Sequence, residues 1–278
     1  MKSHEQTNRR PNPLVCLLWL LVHTVFSWIE QLIRLVQRCR WKTVLYLQPS
    51  GARTPDSYRA RLKESQLYVR QQLESASKIP KHLVVLLGPE QPDYHRLSQF
   101  IFWSNAAGIE YVSFYDHNGT MKRNHEEMKR YVDDTPLETA QHIIWSTSNY
   151  GSGKAGKNGK LRPTRRSTLV NFLSPEDGKR GLVCLSRSIG ESVRRRDLHA
   201  ADVSIELLDR QLQESSGFVP DPDLAIYFGE VCSTYGLLPW QIRLTEFLPL
   251  GLRLQDSTVQ HFVSCLLRFA KCEQRLGT

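Results

Sequence analysis

His82-Leu83-Val84-Val85-Leu86-Leu87-Gly88-Pro89 is a continuous apolar run, β-branched in part and stopped by a Gly-Pro pair. A strand buried on both faces reads this way, because a parallel sheet is covered by helices on each side and neither face meets water. Leu97 to Ala107 then reads as a helix closing at Gly108, and Ile109 to Tyr115 as a second strand. Strand, helix and strand within so short a span make a βαβ unit. Working outward, Asp56 to about Ser77, rich in Arg, Lys, Glu, Gln and Leu, predicts a preceding helix. His142 to Ser146 and Leu224 to Phe228 predict further strands, and Val259 to Cys272 a last helix. Ser174-Pro175-Glu176-Asp177-Gly178 has the composition of a helix start, with Ser174 as N-cap, Pro175 at the first helical position and acids in the first turn. The expected fold class is α/β, with a mainly parallel central sheet flanked by helices.

The amino-terminal end has a different character. Leu14 to Ile29 contains no charged residue, and apolar residues continue through Leu32, Ile33, Leu35 and Val36. A spanning helix needs roughly 17–25 residues. The run reaches that length only if it is carried to Val36, with Glu30 and Arg34 near the interface, where long side chains snorkel to the headgroups. An N-terminal membrane helix is therefore expected, with Trp28 and Trp41 suited to the interfacial belt. Two other readings stay open. One is an interfacial amphipathic helix running past Arg34, Arg38 and Arg40; the other is a cleaved signal peptide, against which no small-x-small cleavage site follows the apolar run. Arg34, Arg38, Arg40 and Lys42 outnumber Lys2, Arg9 and Arg10, which places the large carboxyl-terminal part in the cytosol. The sequon Asn118-Gly119-Thr120 would then carry no sugar.

Turn-forming residues from Gln48 to Pro55 divide the chain into an anchor (1–48), a linker and helix (49–80) and a main domain (81–278). Within the last, Gly151 to Arg166 is polar and holds Lys154, Lys157, Lys160, Arg162, Arg165 and Arg166 without an acid, as expected of a flexible surface insertion.

The net charge of +9 suits an anionic partner such as a diphosphate, a nucleic acid or an anionic membrane surface. A nucleic-acid partner is disfavoured because the charge is spread, no aromatic residues interleave the basic loop and no recognised module is present. The six cysteines form no C-x-x-C pair and no Cys/His grouping at zinc spacing, so they are expected as reduced thiols. Phosphate-binding loops, G-x-G-x-x-G, G-x-S-x-G and H-E-x-x-H are absent from the sequence. Tyr115-Asp116-His117-Asn118-Gly119 groups an Asp and a His without a neighbouring nucleophile, and reads as a strand end followed by an Asn-Gly turn.

The most informative stretch is Pro222 to Val231, followed by Ser233 to Glu246. It resembles the carboxyl-terminal core of cis-prenyltransferases, where a strand of the type D-L-x-I-R-T-S-G-E leads into a segment ending L-L-W-Q. The match is closer to the Nogo-B receptor branch of that family, on Phe228-Gly229, Val231, Ser233-Thr234, Gly236, Leu238-Pro239-Trp240, Ile242 to Glu246 and the terminal Cys272 to Thr278. Val112 to Gly119, Lys122-Arg123-Asn124 and Ser174 to Lys179 agree with it as well, so the resemblance covers roughly Leu83 to Thr278. It implies a cis-prenyltransferase-like sheet and the repeated condensation of isopentenyl diphosphate onto farnesyl diphosphate. It also implies a role in making dehydrodolichyl diphosphate for dolichol and protein glycosylation, at the endoplasmic reticulum membrane.

Departures from the active enzymes matter as much. Those place an aspartate after the first strand, in a D-G-N-R-R motif, to hold Mg²⁺ against a diphosphate. Here the strand runs into Leu87-Gly88-Pro89-Glu90, and neither Glu90 nor Asp93 is a convincing stand-in. The diphosphate-clamping arginines of the R-T-S-G-E and E-x-R segments correspond approximately to Tyr227 and Cys232. Losing the metal and the guanidinium donors removes the largest electrostatic terms in diphosphate binding. No catalytic residue and no metal ligand is therefore expected in this chain; Mg²⁺ is expected in the site of a catalytic cis-prenyltransferase subunit, with isopentenyl diphosphate and membrane lipid as further partners. By the resemblance, Arg275, Leu276 and Gly277 reach into that partner's site and bind diphosphate, a glycine there permitting close main-chain approach. A membrane receptor or lipid-handling scaffold on an inactive prenyltransferase fold is the alternative from another class.

Overall fold

The structure is a computed structural model in which residues 19–29, 31–32, 55–135, 137–146, 167–216, 219–229 and 231–273 are described. The chain divides into two units, Met1–Arg53 and Thr54–Thr278. In the first, residues 19–29 are helical and expose Trp19, Leu20, Phe26 and Trp28. Among the described residues no helix is long and apolar enough to cross a membrane. Much of the expected span from Leu14 to Val36 lies outside the described residues.

The second unit carries helix α1 (Pro55–Leu73), strand β1 (His82–Leu86), α2 (Tyr94–Ala106), β2 (Tyr111–Tyr115), the short α3 (Thr120–Arg123), α4 (His125–Asp133), β3 (Ile143–Trp145) and β4 (Thr168–Leu173). These are followed by α5 (Lys179–Arg194), α6 (Ile205–Ser216), β5 (Leu224–Tyr227), β6 (Glu246–Pro249) and α7 (Val259–Lys271). The strands form one six-stranded sheet in the order β3-β4-β2-β1-β5-β6, and every pairing is parallel. Every residue of β1 is buried, as its unbroken apolar sequence requires.

Handedness sorts the helices onto the two faces. The crossovers from β1 to β2 and from β2 to β3 run one way along the sheet, whereas those from β4 to β5 and from β5 to β6 run the other. Right-handed connections in opposite directions land on opposite faces. On the first face lies a deep core in which Phe100 and Trp103 of α2 meet Phe262 of α7 and Phe228, with ring centroids 5.0–5.9 Å apart. Leu62, Val69 and Leu73 bring α1 into the same core. Truncating a fully buried aromatic such as Phe262 costs about 3–5 kcal/mol. The second face is thinner, with Val84, Leu86, Tyr115, Leu173, Ala225 and Tyr227 covered by Leu237 and Leu238 from the β5–β6 connection.

One expected helix start is corrected. α5 begins at Lys179 with Gly178 as N-cap, and Ser174 to Gly178 is a turn. Asp177 accepts from the Ser174 main-chain N–H and hydroxyl at 2.8 and 2.9 Å and takes two bonds from Lys122 Nζ, so its carboxylate ties down the turn instead of opening a helix. The basic stretch 151–166 lies outside the described residues.

Candidate functional site

Open α/β sheets bind ligands at the carboxyl ends of strands where successive connections depart in opposite directions. Here that point is the junction of β1, whose chain continues toward β2, and β5, whose chain continues toward β6. The residues meeting there are Gly88, His117, Phe228 and the segment around Tyr235.

The junction is closed by side chains. Gly88 has φ +62, and a Cβ on it would lie 3.0 Å from Tyr235 Cε2, so only glycine lets the tyrosine ring settle on the main chain after β1. His117 Nδ1 donates to the Gly88 carbonyl at 2.7 Å, and its ring lies 5.7 Å from that of Tyr235. Tyr115, fully buried at the end of β2, donates its hydroxyl to the Tyr235 carbonyl at 2.6 Å. Burial, then the nearby Asp116, pushes that hydroxyl up to about 12, so it remains a donor at any physiological pH. From the other side, the Lys179 N–H donates to the Gly236 carbonyl at 3.3 Å, and a Cβ on Gly178 would lie only 2.0 Å from that oxygen. Tyr235, Gly236 and Leu238 all have positive φ, so a sharply turned segment is stoppered into the crevice.

The surrounding carboxylates do not fit a magnesium site. Asp116 is 3% exposed and accepts from the N–H groups of Thr120 and Met121 at 2.8 and 3.0 Å, which starts α3. Glu90 accepts from the Leu254 N–H at 2.7 Å, with its pKa raised chiefly by burial. Asp93 is the N-cap of α2, accepting from Arg96 N at 3.0 Å. Asp177 is paired with Lys122 at 2.6 Å. Each acid is thus engaged by the fold, and among the described residues no group of three His, Cys, Asp or Glu side chains is arranged to hold a metal ion.

Tyr227 and Cys232, at the positions where the resemblance puts clamp arginines, come together. Tyr227 is 8% exposed, and burial, followed by the neighbouring Cys232 thiol, pushes its hydroxyl up to about 12. A neutral phenol against a thiol offers nothing comparable to a guanidinium fork for a diphosphate. The expected diphosphate-binding residues Arg275, Leu276 and Gly277 lie outside the described residues. What is described is the end of α7 from which they continue: Cys272 and Glu273. Sequence reasoning missed Tyr235 and Gly178, and read Gly88 only as a strand stop. The available signal was the set of glycines at 88, 178 and 236, which the fold brings together only through tertiary contact.

No family model matches the chain. Among curated proteins it is 37% identical over 211 residues to the dehydrodolichyl diphosphate synthase complex subunit Nus1 of Mus musculus, covering 75% of this chain and 69% of that protein. It is 36% identical over 206 residues to the subunit of the same name from Homo sapiens, covering 73% and 68%. The Saccharomyces cerevisiae subunit is 25% identical over 238 residues, covering 75% and 62%. Among solved structures, lavandulyl diphosphate synthase from Lavandula x intermedia, in complex with dimethylallyl diphosphate, superposes with TM-score 0.50 at 14% identity, covering 71% of this chain and 98% of that one; it shares the fold. Taken with the parallel sheet and its closed crevice, the similarity to the mouse and human proteins places this chain in the family of Nus1 subunits of dehydrodolichyl diphosphate synthase complexes.

Proposed function

We propose that this chain is the accessory, catalytically incomplete subunit of a heteromeric cis-prenyltransferase that condenses isopentenyl diphosphate onto farnesyl diphosphate, giving dehydrodolichyl diphosphate for dolichol synthesis and protein glycosylation. The observation that carries the reading is the stoppered crevice. Tyr235 sits on Gly88 where a substrate diphosphate would need room, and the carboxylates around it are bound up in caps and an ion pair. Binding and ionising a diphosphate requires concentrated positive charge, from a metal or guanidinium groups. The chemistry therefore belongs to a catalytic partner, with Mg²⁺ in the partner's site. The printed names of the mouse and human relatives, as subunits of a synthase complex, support that division of labour.

A second support is the exposed apolar residues of α5 and α6. Leu182, Leu185, Ile189 and Val193 recur on α5 at helical spacing and are half-buried or buried, whereas Val183, about 100° round the helix from Leu182, is 44% exposed. Ile205 at the start of α6 is 57% exposed. Such exposed residues fit an obligate subunit contact, and its occupant in this reading is the catalytic subunit. The chain's own contribution to the reaction is its tail: main-chain N–H groups near Leu276 and Gly277 donate to diphosphate oxygens, and Arg275 fixes the tail or the charge. The apolar amino-terminal segment holds the complex on the endoplasmic reticulum membrane with the large unit in the cytosol.

The test is Mg²⁺-dependent incorporation of isopentenyl diphosphate into long-chain product by the pure chain, by a catalytic partner, and by the two together. The expected result is no product from the pure chain and strong stimulation of the partner. Turnover by the pure chain would overturn the reading.

A further inference from the structure

The last carbonyls of a helix have no partner within it and are ordinarily left to water or to a glycine cap. α7 ends differently. Its final turn is met by the loop between α1 and β1, almost the whole length of the unit away in sequence. Ser77 Oγ donates to the Ala270 carbonyl at 2.8 Å, between residues 193 positions apart. Lys78 Nζ donates to the Cys272 carbonyl, and the same ammonium lies over the Phe269 ring at 4.7 Å from its centroid. A cation at this end also complements the negative pole of the helix dipole. Phe269 is 4% exposed, so Lys78 binds one group rooted in the core and one at the residue where the chain leaves the helix.

We infer that Lys78, assisted by Ser77, is a positioning residue for the carboxyl-terminal tail, setting the direction in which Cys272 delivers Arg275 to Gly277 to the diphosphate of the partner's site; the inference rests on the role of the tail proposed above. The lever is short and demanding. From Cys272 to Arg275 is three residues, a span of at most roughly 10 Å. A swing of about 6° at Cys272 can therefore move Arg275 by up to about 1 Å, a misplacement that is enough to cost about 10²-fold in rate at a reacting centre. Two bonds and a cation–π contact from a separate segment hold that angle; a frayed helix end would not.

The experiment uses the assembled two-subunit complex. Lys78→Ala is expected to co-purify normally and to lower kcat at least tenfold, Ser77→Ala to lower it less, and Lys78→Arg to keep most of it by renewing the charge and the stacking. Lys78→Gln, which retains the stem over Phe269, serves if the alanine variant does not assemble. Each change is repeated in a complex truncated after Cys272. A positioning role predicts no further loss there, since no tail remains to be aimed, whereas a purely structural role predicts the same loss with and without the tail. If the truncated complex turns over at the wild-type rate, the proposed role of the tail falls and this inference with it. If truncation abolishes turnover while Lys78→Ala and Lys78→Gln leave it untouched, or if the variants lose activity equally in both backgrounds, the inference about Lys78 falls alone.

Discussion

His82 opens the central strand and is 1% exposed. Its Nδ1–H donates to the Pro220 carbonyl at 2.6 Å, and its Nε2 accepts from Ser113 Oγ at 2.8 Å, so the neutral ring satisfies both neighbours. Burial holds its pKa down from the ordinary 6.5 to about 4. The unfolded chain therefore binds this proton at a higher pH than the folded one, and stability falls as pH drops through 6.5 toward about 4. The slope in that window is about 1.4 kcal/mol per pH unit, and the whole effect roughly 3 kcal/mol. Between pH 7 and 5 the wild-type chain should lose about 2 kcal/mol through this group alone. Glu90 and Asp221, whose pKa values are raised chiefly by burial, act with the opposite sign, so the comparison must be with a variant that keeps them. Urea unfolding of the full chain in detergent, followed by tryptophan fluorescence at pH 7, 6 and 5, should show that pH-dependent loss in the wild type and its absence in His82→Gln. Parallel pH profiles for the two proteins would refute the argument.

In the assembled complex, Gly277→Ala and Arg275→Ala should each cost about 10²–10³ in rate without releasing the partner; near-wild-type turnover of a fully assembled Gly277→Ala complex would remove the tail from the site. Gly178→Ala should destabilise the chain by about 2–3 kcal/mol, since its Cβ would be driven to within 2.0 Å of the Gly236 carbonyl and neither backbone can yield cheaply. A thermal midpoint unchanged in that variant would show that Tyr235 does not hold its place as described. Val183→Asp, at an exposed apolar position of α5, should weaken subunit association at least tenfold while leaving the melting of the isolated chain within about 0.5 kcal/mol of wild type; unchanged affinity in a titration would move the subunit contact elsewhere.

How far the sequence carries is seen element by element. β1, β2 and β5 lie where their apolar runs lie, because a strand buried on both faces writes its environment into every residue. β4 was not anticipated: it follows directly on the basic stretch, and Asn171 interrupts its apolar run. Asn171 is 5% exposed and lines a small pocket with His82 and Ser113, a placement that only pairing with β2 reveals. β6 escaped because it is a half-exposed edge strand ending in Pro249, which gains its identity from β5. α4 and α6 are short and mostly exposed, with few buried residues to set a period. The departures from the D-G-N-R-R and R-T-S-G-E patterns, by contrast, are plain from single positions, because a missing aspartate or arginine is a local fact. The stopper was hidden, since Tyr235, Gly88, His117 and Gly178 come from four segments with no local pattern in common.

The stopper also bears on why an incomplete subunit retains a whole prenyltransferase-like sheet. Had the crevice merely lost its charged groups, it would remain an apolar cleft open at the strand ends, free to collect water or lipid. Instead the space is filled by a ring lying on a glycine, and the filling segment is bonded to β2 through Tyr115 and to α5 through Lys179. It also runs on into Leu237 and Leu238, which cover the second face of the sheet. Trp240, a few residues further along, donates to Asp209 on α6. The same short segment thus closes the crevice and braces α5 and α6, the helices that expose Val183 and Ile205. Closing the crevice and bracing α5 and α6 therefore rest on one segment, so a variant that reopened the crevice by displacing Tyr235 would also loosen the surface proposed for the partner.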